Sequence, residues 1–160
     1  MSDSFAQQYL ADVLSTFRAY RKLADRAIEQ LSDEEYFMLL DEESNSVAVI
    51  MKHIAGNMLS RFTDFLTSDG EKPNRDRDSE FIITAGTTRA ELIAFWNRAS
   101  DCLFNALEPL QPADLERIIT IRGQEHGVVQ AINRQMTHYA SHIGQIVFSQ
   151  SICGRQSGHR

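Results

Sequence analysis

The chain reads as all-α, a four-helix bundle in up-down-down-up order, and three observations carry that reading. Four long stretches place apolar residues at helical spacing, one connection over residues 67–86 is far longer than a helix–helix turn, and only residues 118–121 are β-branched enough to run extended. Apolar positions recurring at i, i+3, i+4 and i+7 line one face of a helix, which must then find another face to cover it. A long crossover between the second and third helices lets them run parallel instead of folding back on each other. The extended segment reads as half of a short hairpin lying over the bundle, just before the fourth helix.

The first helix is expected from about Ser4 to Leu31, with Phe5, Tyr9, Val13, Phe17, Tyr20, Ala24 and Ile28 on one arc and Gln8, Asp12, Lys22 and Arg26 opposite. Ser32-Asp-Glu-Glu35 has the form of a capping box, in which the serine hydroxyl and the glutamate each take a backbone N–H at the helix start. A polar linker, Asp41 to Ser46, offers Asn45 or Ser46 as the next cap. The second long helix is expected from Val47 to Leu66. Arg61 falls inside its apolar arc, so it must reach a carboxylate or carbonyl, or turn out to solvent as a rim residue.

Gly70 and Pro73 stop that helix and open the crossover, where Phe81-Ile-Ile83 is an apolar anchor. The alternating run Arg75-Asp-Arg-Asp78 reads as a solvated, self-paired face. Thr88-Arg-Ala-Glu91 is another capping box, opening a third helix that Pro109 ends. The fourth helix begins near Gly127 and continues to about Ile152, leaving a polar tail from Gly154.

With 160 residues the chain fits one domain, 1–160, able to bury a core without disulfides or a structural metal. The net charge of −6 excludes a general nucleic-acid binder, which needs clustered cations to displace counterions. No apolar run approaches the ~20 residues that span a bilayer. The start, Met-Ser-Asp-Ser-Phe, lacks the basic-then-apolar form of a signal peptide. Two cysteines, Cys102 and Cys153, are too few for a disulfide framework, and a cytoplasmic protein with reduced thiols is expected. A metal site in such a chain is functional more readily than structural.

The residues that could hold one are histidines. His138 and His142 lie four apart in the fourth helix, so both imidazoles leave the same side, close enough to share an ion. On a helical wheel they sit about 130° and 90° from the centre of the apolar stripe, on its flank, where a crevice ligand or an exposed histidine would equally sit. The His-Glu-x-x-His form of zinc proteases is absent, and the pair alone is a weak signal. His53 falls about 150° from the apolar centre of the second helix and reads as exposed. His126, at the start of the fourth helix, suits an N-cap or loop role, and His159 lies in the tail.

Two segments say more than periodicity. Val49-Ile-Met-Lys-His53-Ile-Ala-Gly-Asn57-Met-Leu-Ser-Arg61 and its continuation to Pro73, with Ala131-Ile-Asn-Arg134-Gln-Met-Thr-His138-Tyr-Ala-Ser-His142-Ile-Gly-Gln145, resemble the DinB/YfiT-like superfamily, and within it a bacterial branch known only as a domain of unknown function. The resemblance implies the bundle with its long crossover. It also implies a metal site made by one histidine of the second helix and a His-x-x-x-His pair of the fourth: His53, His138 and His142.

Three neutral imidazoles suit Zn²⁺ or Ni²⁺ and leave a position for water or a thiolate. The resemblance implies a metal-dependent enzyme acting on a small molecule. It would be either a transferase using a low-molecular-weight thiol such as bacillithiol or mycothiol, or a metal-hydroxide hydrolase. The alternative is a non-catalytic metal-binding or stress-response protein on the same bundle. By spacing, Asn57 and Gln145 are candidates to orient the imidazoles, and Glu125 for an acid/base group. Arg61 and Arg134 are candidates to hold an anionic thiol, or else make surface salt bridges. The resemblance implies a homodimer, and neither nucleic acid nor membrane is expected as a partner.

Overall fold

Three hydroxyl residues decide where helices begin. Ser32, Ser46 and Thr88 each hold an extended backbone, and each side-chain oxygen accepts from the N–H three residues on; Ser32 and Thr88 complete reciprocal boxes with Glu35 and Glu91. In the computed structural model, which describes residues 3–156, the helices are α1 (Asp3–Glu29), α2 (Asp33–Phe37), α3 (Val47–Phe62), α4 (Arg89–Leu107) and α5 (Val128–Gln156). A two-stranded antiparallel sheet joins β1 (Ile118–Ile121) to β2 (Gln124–Gly127), and single 3-10 turns lie at Asp78–Phe81 and Pro112–Glu116. The fold is mostly helical, with the expected hairpin directly before the last helix. His159 and the end of the polar tail lie outside the described residues.

The core forms where α3 meets α4, α1 meets α5, and α3 crosses to α5. Trp96, Tyr36, Tyr139, Phe62, Met51 and Ile54 are fully buried there. Each such side chain contributes roughly 1.5–3 kcal/mol of burial free energy. Tyr139 meets Phe17 with ring centroids 5.9 Å apart, which ties α5 to α1 inside the core. At the C-terminal end of α1, the Arg89 guanidinium donates to the carbonyls of Ile28 and Leu31 at 2.6 and 2.7 Å, so a residue at the start of α4 closes the end of α1. Among the described residues, no helix is long and apolar enough to cross a membrane.

Two helix ends differ from expectation. The second long helix, α3, stops at Phe62, four residues before Leu66, because Thr63 turns extended and Asp64 takes a left-handed φ of 48°. The Ser68 hydroxyl bonds the carbonyls of Thr63 and Asp64 at 3.2 and 3.1 Å, offering this end of the chain an alternative to further helical turns. At the other end, α5 continues past Ile152 to Gln156.

The crossover from Thr63 to Thr88 is not a free loop. Its 3-10 turn lies along α3, and Lys52 Nζ of α3 donates to the carbonyls of Ser79 and Ile82, both at 2.7 Å. The Gly70 N–H donates to Thr120 O of β1 at 2.8 Å. The Asp69 carboxylate accepts the N–H groups of Arg122 and Gly123 at the hairpin turn, both at 2.8 Å. Those two turn residues have φ of 56° and 72°, the left-handed pair that a tight two-residue hairpin needs.

Candidate metal centre

His53, His138 and His142 converge. Each offers a ring nitrogen within 4.8 Å of the other two. His138 Nε2 lies 3.0 Å from His142 Nε2 and 3.3 Å from His53 Nε2. The α5 pair meets because residues four apart share a helix side. His53 joins it from α3, 85 residues away in sequence.

The wheel's reading of His53 as exposed is wrong: the residue is 4% exposed. A wheel locates the face turned to the other helices and takes the rest for solvent. In α3 the remaining face lies under the crossover, so nearly every residue of the helix is buried and no polar arc survives. Glu80 and Phe81, from the 3-10 turn, are what cover it.

Glu80 Oε2 accepts from His53 Nδ1 at 2.8 Å, and the Phe81 ring lies on the imidazole at 4.7 Å between centroids. Arg75 completes the clamp, its Nε and Nη2 donating to the two Glu80 oxygens at 2.8 and 2.9 Å. Burial pushes the Glu80 carboxyl up, but the hydrogen bonds from His53 and Arg75 and the Arg75 charge outweigh it and hold the group below the usual carboxylate range. Space for the carboxylate comes from Gly56, three residues after His53: a Cβ there would stand 2.3 Å from Glu80 Oε1.

These contacts fix the protons. An ionised Glu80 makes His53 Nδ1 the protonated nitrogen, leaving Nε2 a bare lone pair. Gln145 Oε1 accepts from His142 Nδ1 at 2.8 Å, with the same consequence for His142 Nε2. Between the two lies His138 Nε2. A proton on it could serve only one neighbour, and burial, reinforced by His142 and His53, pushes the His138 pKa down to about 4. Burial also lowers His142. With neutral rings, the Nε2 lone pairs of His53 and His142 therefore face the point where His138 Nε2 also lies. Nitrogens bonded at ~2.1 Å to a tetrahedral ion stand about 3.4 Å apart, so the donor set fits a divalent cation in both chemistry and spacing.

The remaining candidates divide. Gln145 Oε1 lies on His142 Nδ1. Asn57 lines the cavity with His53 and His138, but its Oδ1 accepts from the Tyr139 hydroxyl at 2.8 Å. Glu125 is exposed on β2, paired across the hairpin with Thr120, and does not line the cavity beside the histidines. Arg61 is buried and not a rim residue, and of the alternatives its position left open it takes a carbonyl and a carboxylate, Gly70 O and Glu71 Oε2, the latter at 2.8 Å. Arg134 is exposed on α5 and does line the cavity. His126 lies in β2 with Nδ1 buried and unpartnered among the described residues, not at a helix cap.

Arg75 also corrects the reading of residues 75–78 as a solvated run. Its side chain is buried on Glu80 and Glu71, while Asp76, Arg77 and Asp78 are exposed. Glu80 itself carries no periodic signal, being 27 residues from its histidine. Gly56, a helix-interior glycine beside a candidate ligand, is the mark that something approaches closely there.

No curated protein matches this chain. The family model described as "Protein of unknown function (DUF1572)" matches residues 4–156. Nearly the whole chain is covered, and it belongs to that family.

Proposed function

We propose that His53, His138 and His142 hold a divalent ion, zinc or nickel, and that the chain is a metal-dependent enzyme of the DinB/YfiT-like superfamily, a thiol-dependent transferase acting on a small molecule. The observation that carries this reading is the convergence of three imidazole Nε2 atoms, two of them on rings whose Nδ1 is hydrogen-bonded elsewhere, His53 to Glu80 and His142 to Gln145. Such an ion would keep a coordination position for a thiol and render it a thiolate at neutral pH.

What lines the cavity favours thiol transfer over hydrolysis. Beyond the histidines its walls are arginines, Asn57 and Gln135, with no carboxylate among the described residues. A thiolate attacks an electrophilic carbon without a general base, whereas activating and steering water usually enlists one. The thiol proton would leave with the displaced group or end on the adjacent atom of an opened ring or double bond. The same lack of a carboxylate favours, as a second reading, a metal-binding protein without catalysis.

On this reading residues 1–160 form one domain, the long helices α1, α3, α4 and α5 take up-down-down-up order, and the protein works in the cytoplasm as a homodimer. Neither nucleic acid nor a membrane is its partner. The acidic composition supports the exclusion of nucleic acid.

The experiment is metal analysis of protein purified without an affinity tag, on wild type and His138→Ala. Near-stoichiometric metal in wild type and its loss in the variant are expected. Equal, substoichiometric metal in both would sink the reading. Conjugation of a low-molecular-weight thiol to an electrophile, assayed with and without the thiol, then separates transferase from hydrolase, and inactivity in both leaves the binding protein.

A further inference from the structure

A cavity of about 490 Å³ opens beside His53 and His138, and five of its lining residues are arginines: Arg61, Arg75, Arg77, Arg122 and Arg134. They come from α3, the crossover, the hairpin turn and α5, so no single local pattern explains their meeting. The carboxylates that pair with them are two. Glu71 takes Arg61 at 2.8 Å, Arg122 at 3.1 Å and Arg75 at 3.3 Å, and Glu80 takes Arg75 at 2.8 Å. Five guanidiniums against two carboxylates leave a surplus of three positive charges, in a protein whose net charge is −6.

The surplus has an address. Arg77 and Arg134 have no carboxylate within ion-pair distance among the described residues, and Arg77 instead rests over the Phe81 ring at 5.4 Å. Like charges gathered in a concave, partly dry wall repel one another and focus a positive potential, a cost that an anion in the cavity would relieve. A guanidinium also presents donors in a planar fork matched to carboxylate and phosphate oxygens. Gln135 lines the same cavity, is nine-tenths buried, and has a side-chain oxygen without a partner among the described residues. A hydroxyl on a bound molecule would supply the missing donor.

We infer that this cavity binds a small oxyanion carrying two or more negative charges, a phosphate or a dicarboxylate, held by Arg77, Arg122 and Arg134 with its other end at His53 and His138. The assignment rests on the metal-centre reading for the role of that other end only; the arginines would hold the anion without an ion present. The volume suits a molecule of metabolite size. Phosphate and dicarboxylate share the chemistry recognised, and separate titrations tell them apart.

The test is calorimetric titration of the full chain at low ionic strength, stripped of metal by chelator and dialysis, with inorganic phosphate, succinate and acetate in turn, repeated on the double variant Arg77→Gln/Arg134→Gln. At least one dianion should saturate a single site and bind about tenfold or more tightly than acetate, and the double variant should lose about that factor, as expected for removed charge-assisted hydrogen bonds. Unchanged melting temperature and zinc stoichiometry in the variant would assign the loss to the cavity. Dianions that bind no better than acetate, or equally well to the variant, overturn the inference. Because the stripped protein is used, arginine-dependent binding in a chain that takes up no zinc would uphold this site while the metal reading falls. Zinc uptake without dianion binding would do the reverse.

Discussion

The two halves of the histidine cluster are held by opposite means. His138 and His142 come four apart on one helix, are half-buried, and rely on helix geometry plus one exposed partner, Gln145. His53 is buried, and its ring is gripped by Glu80, Phe81 and, through Glu80, Arg75, all from a crossover that no helical period governs. Local periodicity positions the first half at little cost in specialised contacts. The second half depends on long-range contacts, so its integrity reports on the crossover's own folding.

That contrast is broken most forcefully at Glu80. Glu80→Ala would take from the buried Arg75 guanidinium the closer of its two carboxylates, leaving only Glu71 at 3.3 Å, and is expected to cost about 3 kcal/mol of stability, with metal affinity down about 10–100-fold. Glu80→Gln keeps the shape without the charge and should recover most of the stability while leaving affinity about tenfold down. Chemical denaturation and a competitive chelator titration read both quantities. If Glu80→Ala melts and binds like wild type, the crossover is not a clamp.

A smaller effect tests how the crossover itself is held. Burial raises the Glu71 carboxyl, but hydrogen bonds and charge from Arg61, with Arg75 and Arg122, outweigh it and set it below its ordinary value of 4.5. As pH falls, the unfolded chain takes up this proton first. Glu71 therefore contributes stability in full above pH 4.5, and loses it as pH drops through the lower folded value. For metal-free protein, the stability gap between wild type and Glu71→Gln should be about 1 kcal/mol near neutrality and close in acid. A gap that is constant with pH would refute the assignment.

Smallest is Gln145→Ala, which removes one exposed partner from a histidine already aimed by its helix. Stability should stay within about 0.5 kcal/mol of wild type. Metal affinity should fall less than in Glu80→Gln. A larger loss than at Glu80 would invert the comparison.

The same contrast explains what was legible in the sequence. The helices, their caps, the hairpin and the His138–His142 pair are local features, and each is written within a few residues of itself. His53 as a ligand came from resemblance, because a wheel takes the face under the crossover for solvent. Glu80 and the buried role of Arg75 could not be read, since an alternating charged run looks solvated until its partners are placed beside it. The Tyr139 hydroxyl on Asn57 is hidden from the sequence for a related reason. One turn along a helix fixes angle, not which side chain across the interface will claim the amide. Arg61 is half legible: a charge inside an apolar arc needs either a partner or the rim, and only the structure, with the Gly70 carbonyl and Glu71 on it, decides between them.

Asp69 ties the start of the crossover to the hairpin turn by accepting two of its N–H groups, while Lys52 fastens the far end to α3. A segment buckled at both ends is a strap and not a flap. On the proposed reading, the wall that Arg75 and Arg77 of this segment give the cavity is then held in place before a ligand arrives. Ligands would be sorted by size as they arrive, with little chain ordering needed after they have entered. In such a pocket a change of reach, one residue added or removed between the two buckles, would retune selectivity more directly than any substitution among the ligands.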